Sequence, residues 1–133
     1  GSEHGIGELV IRAVARLEHS VETYGLVFEA QKKIGLVSDT YYFDGLAEAF
    51  AGCDLLVVNV VLFEDKGPGV QHLNPQSAAQ LIKGAQPKLA VITHFGMQML
   101  RNKPWEIAEQ MSAEAGVAVK AASDGMMVDL FEI

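Results

Sequence analysis

The chain has 133 residues, of which half are hydrophobic and a fifth are charged, and its formal net charge is −7. This length fits a single domain, and the acidic balance argues against nucleic acid as a partner because phosphates select basic surfaces. The longest apolar run, residues 55–63, is shorter than the roughly 20 residues that a membrane span needs. We expect no membrane association, and the single cysteine, Cys53, favours a reducing, cytoplasmic compartment.

The first half of the chain is predicted to consist mostly of strands. The first two residues resemble the scar of a cleaved tag, and residues 1–8 are predicted to be a flexible lead ahead of one domain at 9–133. Apolar runs rich in β-branched side chains predict strands at residues 9–17, 24–30, 34–38 and 55–61. A short amphipathic helix is predicted at 43–51, with Gly52 as its stop.

Helix start signals mark the second half of the chain. Asn74 as N-cap and Pro75 at the first helical position predict a helix through Ala85, and Pro104 opens another that ends before Gly116. The remaining segments are predicted as a loop at 65–71 and strands at 88–93, 117–121 and 126–130. Strands first, and then helices alternating with strands, predict an α/β fold with a mixed sheet and helices on one face.

Three polar residues follow apolar strands at the point where each strand gives way to a loop: His19, Asp39 and His94. Parallel strands bring such ends to a common edge of a sheet, and two imidazoles with a carboxylate suit Zn²⁺, Fe²⁺ or Mn²⁺. Gly25 and Gly96 follow closely, where a side chain would crowd an ion or substrate. By spacing alone, the histidines could instead be hydrogen-bonded structural residues and Asp39 a turn or helix cap.

The sequence segments around these residues resemble motifs of the metallo-β-lactamase fold superfamily, in its ribonuclease Z-like branch. The matching segments are residues 17–25 (LEHSVETYG), 35–40 (GLVSDT), 72–74 (HLN) and 90–96 (AVITHFG). They stand in the family's order, and the resemblance covers nearly the whole chain from about residue 9. Four co-linear matches are far more specific than any one of them.

The resemblance implies a role for each of four residues. His19 would bind the first of two metals, Asp39 would bridge both, and His94 would bind the second. His72 would help to protonate the leaving group as a catalytic residue. The implied reaction is attack of metal-bound hydroxide on an ester, phosphodiester or related bond, with zinc as the expected divalent metal and iron or manganese as alternatives.

Part of the family's pattern is missing from the sequence. The His-x-His-x-Asp-His loop has no match, since the only other histidine is His4, which has neither the spacing nor the carboxylate. Asn59 also stands where the ribonuclease Z branch has a Glu that pairs with the helper histidine, here His72, which puts transfer-RNA processing in doubt. The resemblance therefore implies the C-terminal half of an αββα sandwich, with three ligands and no activity alone.

Half of a sandwich has a sheet face made to pack on another sheet. We expect the apolar strands at 55–61 and 88–93 to leave large exposed patches on that face. The predicted cover is a second copy of the chain in a homodimer or a missing N-terminal half. The alternative to a hydrolase is a non-catalytic, self-associating half-domain that binds metal weakly or not at all.

Overall fold

One mixed sheet organises the chain. The computed structural model describes residues 2–67 and 69–133, so predictions that fall on Gly1 and on Pro68 of the 65–71 loop lie outside it. Within the described residues, seven strands lie in the sheet in chain order, β1 to β7. None of the described helices is long and apolar enough to cross a membrane.

The first four strands are antiparallel to one another. Their bounds are β1 (Glu3–Ile6), β2 (Leu9–Arg16), β3 (Tyr24–Glu29) and β4 (Lys33–Val37). β1 lies in the segment that the sequence assigns to the lead, and it pairs with β2 from Glu3 opposite Arg12 to Ile6 opposite Leu9. Because consecutive strands reverse direction here, β2 and β4 point the same way along the sheet.

The last strands run parallel to β4 and are joined by helical crossovers. The bounds are α1 (Leu46–Ala49), β5 (Leu55–Asn59), α2 (Pro75–Ala85), β6 (Leu89–Thr93), α3 (Met97–Arg101), α4 (Pro104–Ala115) and β7 (Ala118–Ala121). Buried residues of α1, α2, α3 and α4 share one core with residues of β3 to β7. The predicted mixed sheet with helices on one face is thereby confirmed.

α2 and α4 begin and end where their sequence signals predict. Asn74 and Ser77 form a reciprocal capping box, in which the Ser77 N–H donates to Asn74 Oδ1 at 3.0 Å and the Asn74 N–H to Ser77 Oγ at 3.1 Å. Gly116 ends α4 with φ of 70°, a left-handed conformation that glycine adopts without strain. The helix predicted at 43–51 forms only one turn, α1, and α3 is a further single turn that no sequence signal marked.

The strand predicted at 126–130 does not form. These residues all lie in the described part of the chain and have no place in the sheet. Met126, Val128 and Leu130 pack on the face of the sheet opposite the helices, whereas Met127 and Phe131 point outward and are 93% and 69% exposed. Residues 126–131 therefore alternate between buried and exposed as in a strand, although they form no backbone hydrogen-bond ladder with the sheet.

The C-terminal segment, residues 122–133, corrects the expectation of exposed patches on β5 and β6. It packs over Leu55, Leu89 and Val91, which are 7%, 4% and 5% exposed. The same face continues across β2 to β4 as a half-buried apolar group, which we call the apolar strip: Ile11, Leu26, Phe28, Ile34 and Leu36. The open apolar surface therefore lies on β2 to β4, and not on β5 and β6 as the sequence predicts.

Candidate metal centre

Four candidate residues collect at one edge of the sheet. β2, β4, β5 and β6 all point toward this edge, since β2 is antiparallel to β3, and β3 is antiparallel to β4. His19, Asp39 and His94 follow β2, β4 and β6, and His72 lies in the connection between β5 and α2. The predicted common edge therefore exists, and it also receives His72.

Asp39 lies at the middle of this cluster. The imidazole Nδ1 of His72 and the Nε2 of His94 lie 3.5 Å and 3.7 Å from the same Asp39 oxygen, Oδ1. The Asn59 amide donates a hydrogen bond to that oxygen at 3.4 Å. Ligand atoms of His19, Asp39 and His72 all lie within 4.8 Å of one another, and this is the group among the described residues that is compact enough to hold an ion.

Two imidazole nitrogens in the cluster are buried without a hydrogen bond. His19 Nδ1 and His72 Nδ1 form no hydrogen bond with any described residue. The two rings meet edge to face with their centroids 5.5 Å apart. An unsatisfied buried polar group costs about 1–3 kcal/mol, so both nitrogens would gain from a ligand between them.

The loops that carry His19 and Asp39 are joined through Thr40, whose side chain is fully buried. Its Oγ1 accepts a hydrogen bond from the Glu18 N–H at 2.9 Å and donates to the Tyr41 carbonyl at 2.8 Å. The Tyr41 N–H donates to the Glu18 carbonyl at 3.0 Å, closing an isolated bridge. Two of these hydrogen bonds join the loops of the two candidate ligands, and the third lies within the loop after β4.

His94 differs from the other three residues in backbone and exposure. Its φ is 61°, in the left-handed region that costs free energy for residues other than glycine. Its side chain is 60% exposed, against 25% for His72 and 29% for Asp39. Strain of this kind at the end of a buried strand is typical of functional positions.

The two glycines near the candidate ligands serve packing, which corrects the expectation that they make room for an ion or substrate. A Cβ on Gly25 would lie 2.3 Å from the Phe50 ring, and a Cβ on Gly96 would lie 2.6 Å from the Val61 carbonyl oxygen. The Gly96 N–H also donates to that carbonyl at 3.0 Å. Gly96 therefore lets the chain after His94 approach the end of β5.

Cys53 is a structural residue outside this cluster. It is 2% exposed, at the start of β5, and burial raises the pKa of its thiol. A protonated, buried thiol is a poor nucleophile and a poor metal ligand. Cys53 is therefore a small residue of the core.

The cluster fits a divalent transition metal. Two imidazoles and one carboxylate form the donor set, both buried nitrogens need a partner, and the side chains converge from separate elements. His19 and Asp39 join the cluster as the sequence predicts, and His94 approaches it through Asp39. The proximity of His72 to His19 and the role of Thr40 were missed; the only signal was that both residues lie within matched motifs.

Comparison with known proteins identifies the family. The model of the β-lactamase superfamily domain matches residues 2–95. The chain therefore belongs to the β-lactamase superfamily, as its motifs predict. It is 33% identical over 100 residues to uncharacterized protein MJ1374 of Methanocaldococcus jannaschii, across 73% of this chain and 36% of that protein.

Solved structures share the fold at low identity. The metallo-β-lactamase fold protein YhfI from Bacillus subtilis has a TM-score of 0.82 and 17% identity, and the match covers 94% of this chain and 51% of YhfI. Human tRNase Z, short form, has a TM-score of 0.71 and 24% identity, and the match covers 96% of this chain and 45% of the human protein. Isothiocyanate hydrolase from Delia radicum gut bacteria has a TM-score of 0.75 and 17% identity, and the match covers 97% of this chain and 57% of the hydrolase. The chain thus spans about half of each of these structures and about a third of MJ1374.

Proposed function

We propose that this chain contributes to the centre of a metal-dependent hydrolase, with His19, Asp39 and His94 as ligands of divalent metal. The observation that supports it most directly is the position of the Asp39 carboxylate, which lies among imidazoles from three separate elements. Zinc is the metal that this donor set favours, with iron or manganese as alternatives. Membership of the superfamily and the fold shared with an isothiocyanate hydrolase support hydrolysis as the reaction class.

Three residues of the chain have different roles in the proposed centre. Asp39 joins the two sides of the cluster, and Asn59 fixes the direction of its Oδ1 by donating to it. His72 would hold the proton that a leaving group needs, a role that its position beside the carboxylate supports. When bound, a divalent ion supplies Lewis acidity and lowers the pKa of water. The substrate class is an ester, phosphodiester or related bond.

Metal binding tests this proposal. Titration of the metal-free chain with Zn²⁺, followed by calorimetry and metal analysis, should show binding that Asp39→Asn weakens at least tenfold, about 1.4 kcal/mol. The reason is that Asp39 is the one carboxylate between the imidazoles. His19→Ala should produce a similar loss.

His4→Ala is the matched control, because His4 is an exposed histidine on β1, away from the cluster. It should bind Zn²⁺ as the unaltered chain does. Equal affinity in all three variants would contradict the proposal and favour the alternative, a self-associating half-domain that catalyses nothing.

A second polypeptide is the remaining part of the proposal. The apolar strip is half-buried, and the chain covers about half of each solved structure of its fold. We propose that a second copy, or a polypeptide carrying the other half of the fold, covers this strip. Hydrolysis of bis(4-nitrophenyl) phosphate should then appear on mixing the chain with that other half and be absent with the chain alone.

A further inference from the structure

We infer that a cavity among the helices binds a basic polypeptide segment in which cationic side chains flank an apolar one. This helix-side cavity is lined by residues 63–65 of the connection after β5, by residues 74–76 at the start of α2 and by four residues of α4. Its volume is about 650 Å³, within the range of about 300–1,000 Å³ that is typical of ligand pockets. No residue of the candidate metal centre lines it, so it is a separate site.

The charge of the helix-side cavity selects a cation. Glu64, Asp65 and Glu114 line it, and none of the described lining residues is basic. Within the part of the chain that the structure describes, none of these three carboxylates forms an ion pair. Carboxylates that face one cavity repel one another and are stabilised by a cation between them. A positively charged ligand therefore fits, and an anion does not.

The three carboxylates are too far apart to share one inorganic ion. Among the described residues, the group whose ligand atoms all lie within 4.8 Å of one another is the one at the candidate metal centre. A ligand that meets the carboxylates of the helix-side cavity therefore carries positive charge at more than one point. Two lysines on either side of one residue in an extended peptide lie about 7 Å apart, which provides that separation.

Asn74 offers an amide donor to the ligand. It is only 6% exposed and lines the cavity. Its Oδ1 caps α2 by accepting from the Ser77 N–H, whereas its Nδ2 donates no hydrogen bond to a described residue and is not among the polar atoms sealed from solvent. An amide donor needs an acceptor such as a peptide carbonyl, which a simple protonated amine lacks. This favours a polypeptide over a small organic amine.

The floor of the helix-side cavity is apolar. Ile107 and Met111 of α4 are 6% and 2% exposed, and the half-buried Phe63 packs against the same core. An apolar side chain on this floor would leave water, while basic side chains on either side of it reach the carboxylates at the rim. The three features together define a segment with basic residues around an apolar one.

An NMR titration tests this assignment with an acetylated and amidated pentapeptide, Lys-Lys-Leu-Lys-Lys. Amide shifts of the metal-free chain should concentrate at residues 63–65, 74–77 and 107–114. Glu64→Gln and Glu114→Gln should each weaken binding about threefold, the size of one partly exposed ion pair, and together about tenfold. Glu109→Gln is the matched control, because Glu109 is an exposed carboxylate of α4 outside the lining. It should bind the peptide as the unaltered chain does.

Two further variants separate the amide and apolar contributions from charge. Asn74→Ser keeps a capping oxygen but loses Nδ2, so it should weaken binding about threefold, the value of one hydrogen bond, while the thermal midpoint stays close to that of the unaltered chain. The peptide with serine in place of leucine should also bind less tightly.

Three results would overturn the assignment. The first is equal affinity in Glu114→Gln and Glu109→Gln. The second is a set of shifts centred on the apolar strip in place of the helix-side cavity. The third is spermidine binding as tightly as the pentapeptide, which would assign the cavity to small amines.

Discussion

At the scale of residues, Thr40 organises the site although it is not a ligand. Thr40 directly follows Asp39, and its buried hydroxyl accepts from the N–H of Glu18, the residue before His19, and donates to the Tyr41 carbonyl. Ligand geometry in metal sites depends on such supporting contacts, whose loss typically weakens metal binding by about 10–100-fold. Thr40 is therefore a positioning residue for both proposed ligands.

Thr40→Val tests this role with little change in shape. It should lower the free energy of unfolding by about 1–3 kcal/mol, because the Glu18 N–H loses its acceptor in a buried setting. Zn²⁺ affinity should fall at least tenfold, since the two ligand loops lose their tie. Chemical denaturation and metal titration measure the two effects.

Thr23→Val is the matched control for this substitution. The Thr23 hydroxyl donates to the Val21 carbonyl at 3.0 Å in an exposed loop. Its loss should cost less than about 0.5 kcal/mol and leave metal binding alone. Similar losses of metal affinity in both variants would remove Thr40 from its assigned role.

The sequence was enough to identify most of the candidate site residues, but not to predict the distances between them. His19, Asp39 and His94 are recognisable because each ends an apolar strand and lies in a specific motif. The contact of His72 with Asp39 depends on how the connection after β5 folds back, and no local pattern encodes that path. The packing reason for Gly25 likewise depends on Phe50, which lies 25 residues along the chain.

At the scale of elements, Asp54 joins the starts of three parallel strands at the edge opposite the candidate metal centre. Its Oδ2 accepts from the Lys33 N–H of β4 at 2.8 Å, and its Oδ1 lies 3.1 Å from Lys88 Nζ, just before β6. Its own backbone pairs with Lys33 and with Leu89. The Lys33 hydrogen bond, followed by Lys88, lowers the pKa of the Asp54 carboxyl.

Stability should therefore depend on pH through Asp54. A carboxyl whose pKa is lower in the folded than in the unfolded state stabilises the fold above its unfolded pKa of about 3.9, and this contribution is lost as pH falls through the folded pKa. Asp54→Asn should lower the free energy of unfolding by about 1–2 kcal/mol at pH 7. The difference from the unaltered chain should shrink as pH is lowered from 5 toward 3, as urea denaturation at several pH values can show.

Asp44→Asn provides the comparison, because Asp44 is an exposed carboxylate in the connection before α1. Its difference from the unaltered chain should stay within about 0.5 kcal/mol at each pH. A deficit of Asp54→Asn that persists undiminished at pH 3 would contradict the assignment.

Most elements could be predicted because their signals are local. α2 and α4 carry proline at the first position and a recognisable stop, and both were placed to the residue. A strand was predicted at residues 126–130, yet these residues pack on the sheet by one side only and have no place in its ladder. A short apolar run does not encode backbone pairing. β1 was missed because all four of its residues are exposed and show no apolar pattern.

At the scale of the whole molecule, the apolar strip should make the chain associate. Ile11, Phe28 and Ile34 lie side by side on neighbouring strands and are only half-buried. Light scattering after size exclusion should show a dimer of the unaltered chain, in equilibrium with monomer. Ile11→Lys should shift the population to monomer, because a charge would be desolvated in the paired state.

Val21→Lys controls for a new lysine elsewhere, since Val21 is 64% exposed and lies outside the strip. It should leave the dimer intact. A monomeric unaltered chain at every concentration would contradict association through this face.

The C-terminal segment has a consequence for the speed of assembly. While Met126, Val128 and Leu130 rest on Leu55, Leu89 and Val91, another sheet has no access to that part of the face. Any partner that covers the whole face must wait until the segment detaches. At high partner concentration its association rate should therefore reach a plateau, set by the opening rate of residues 122–133.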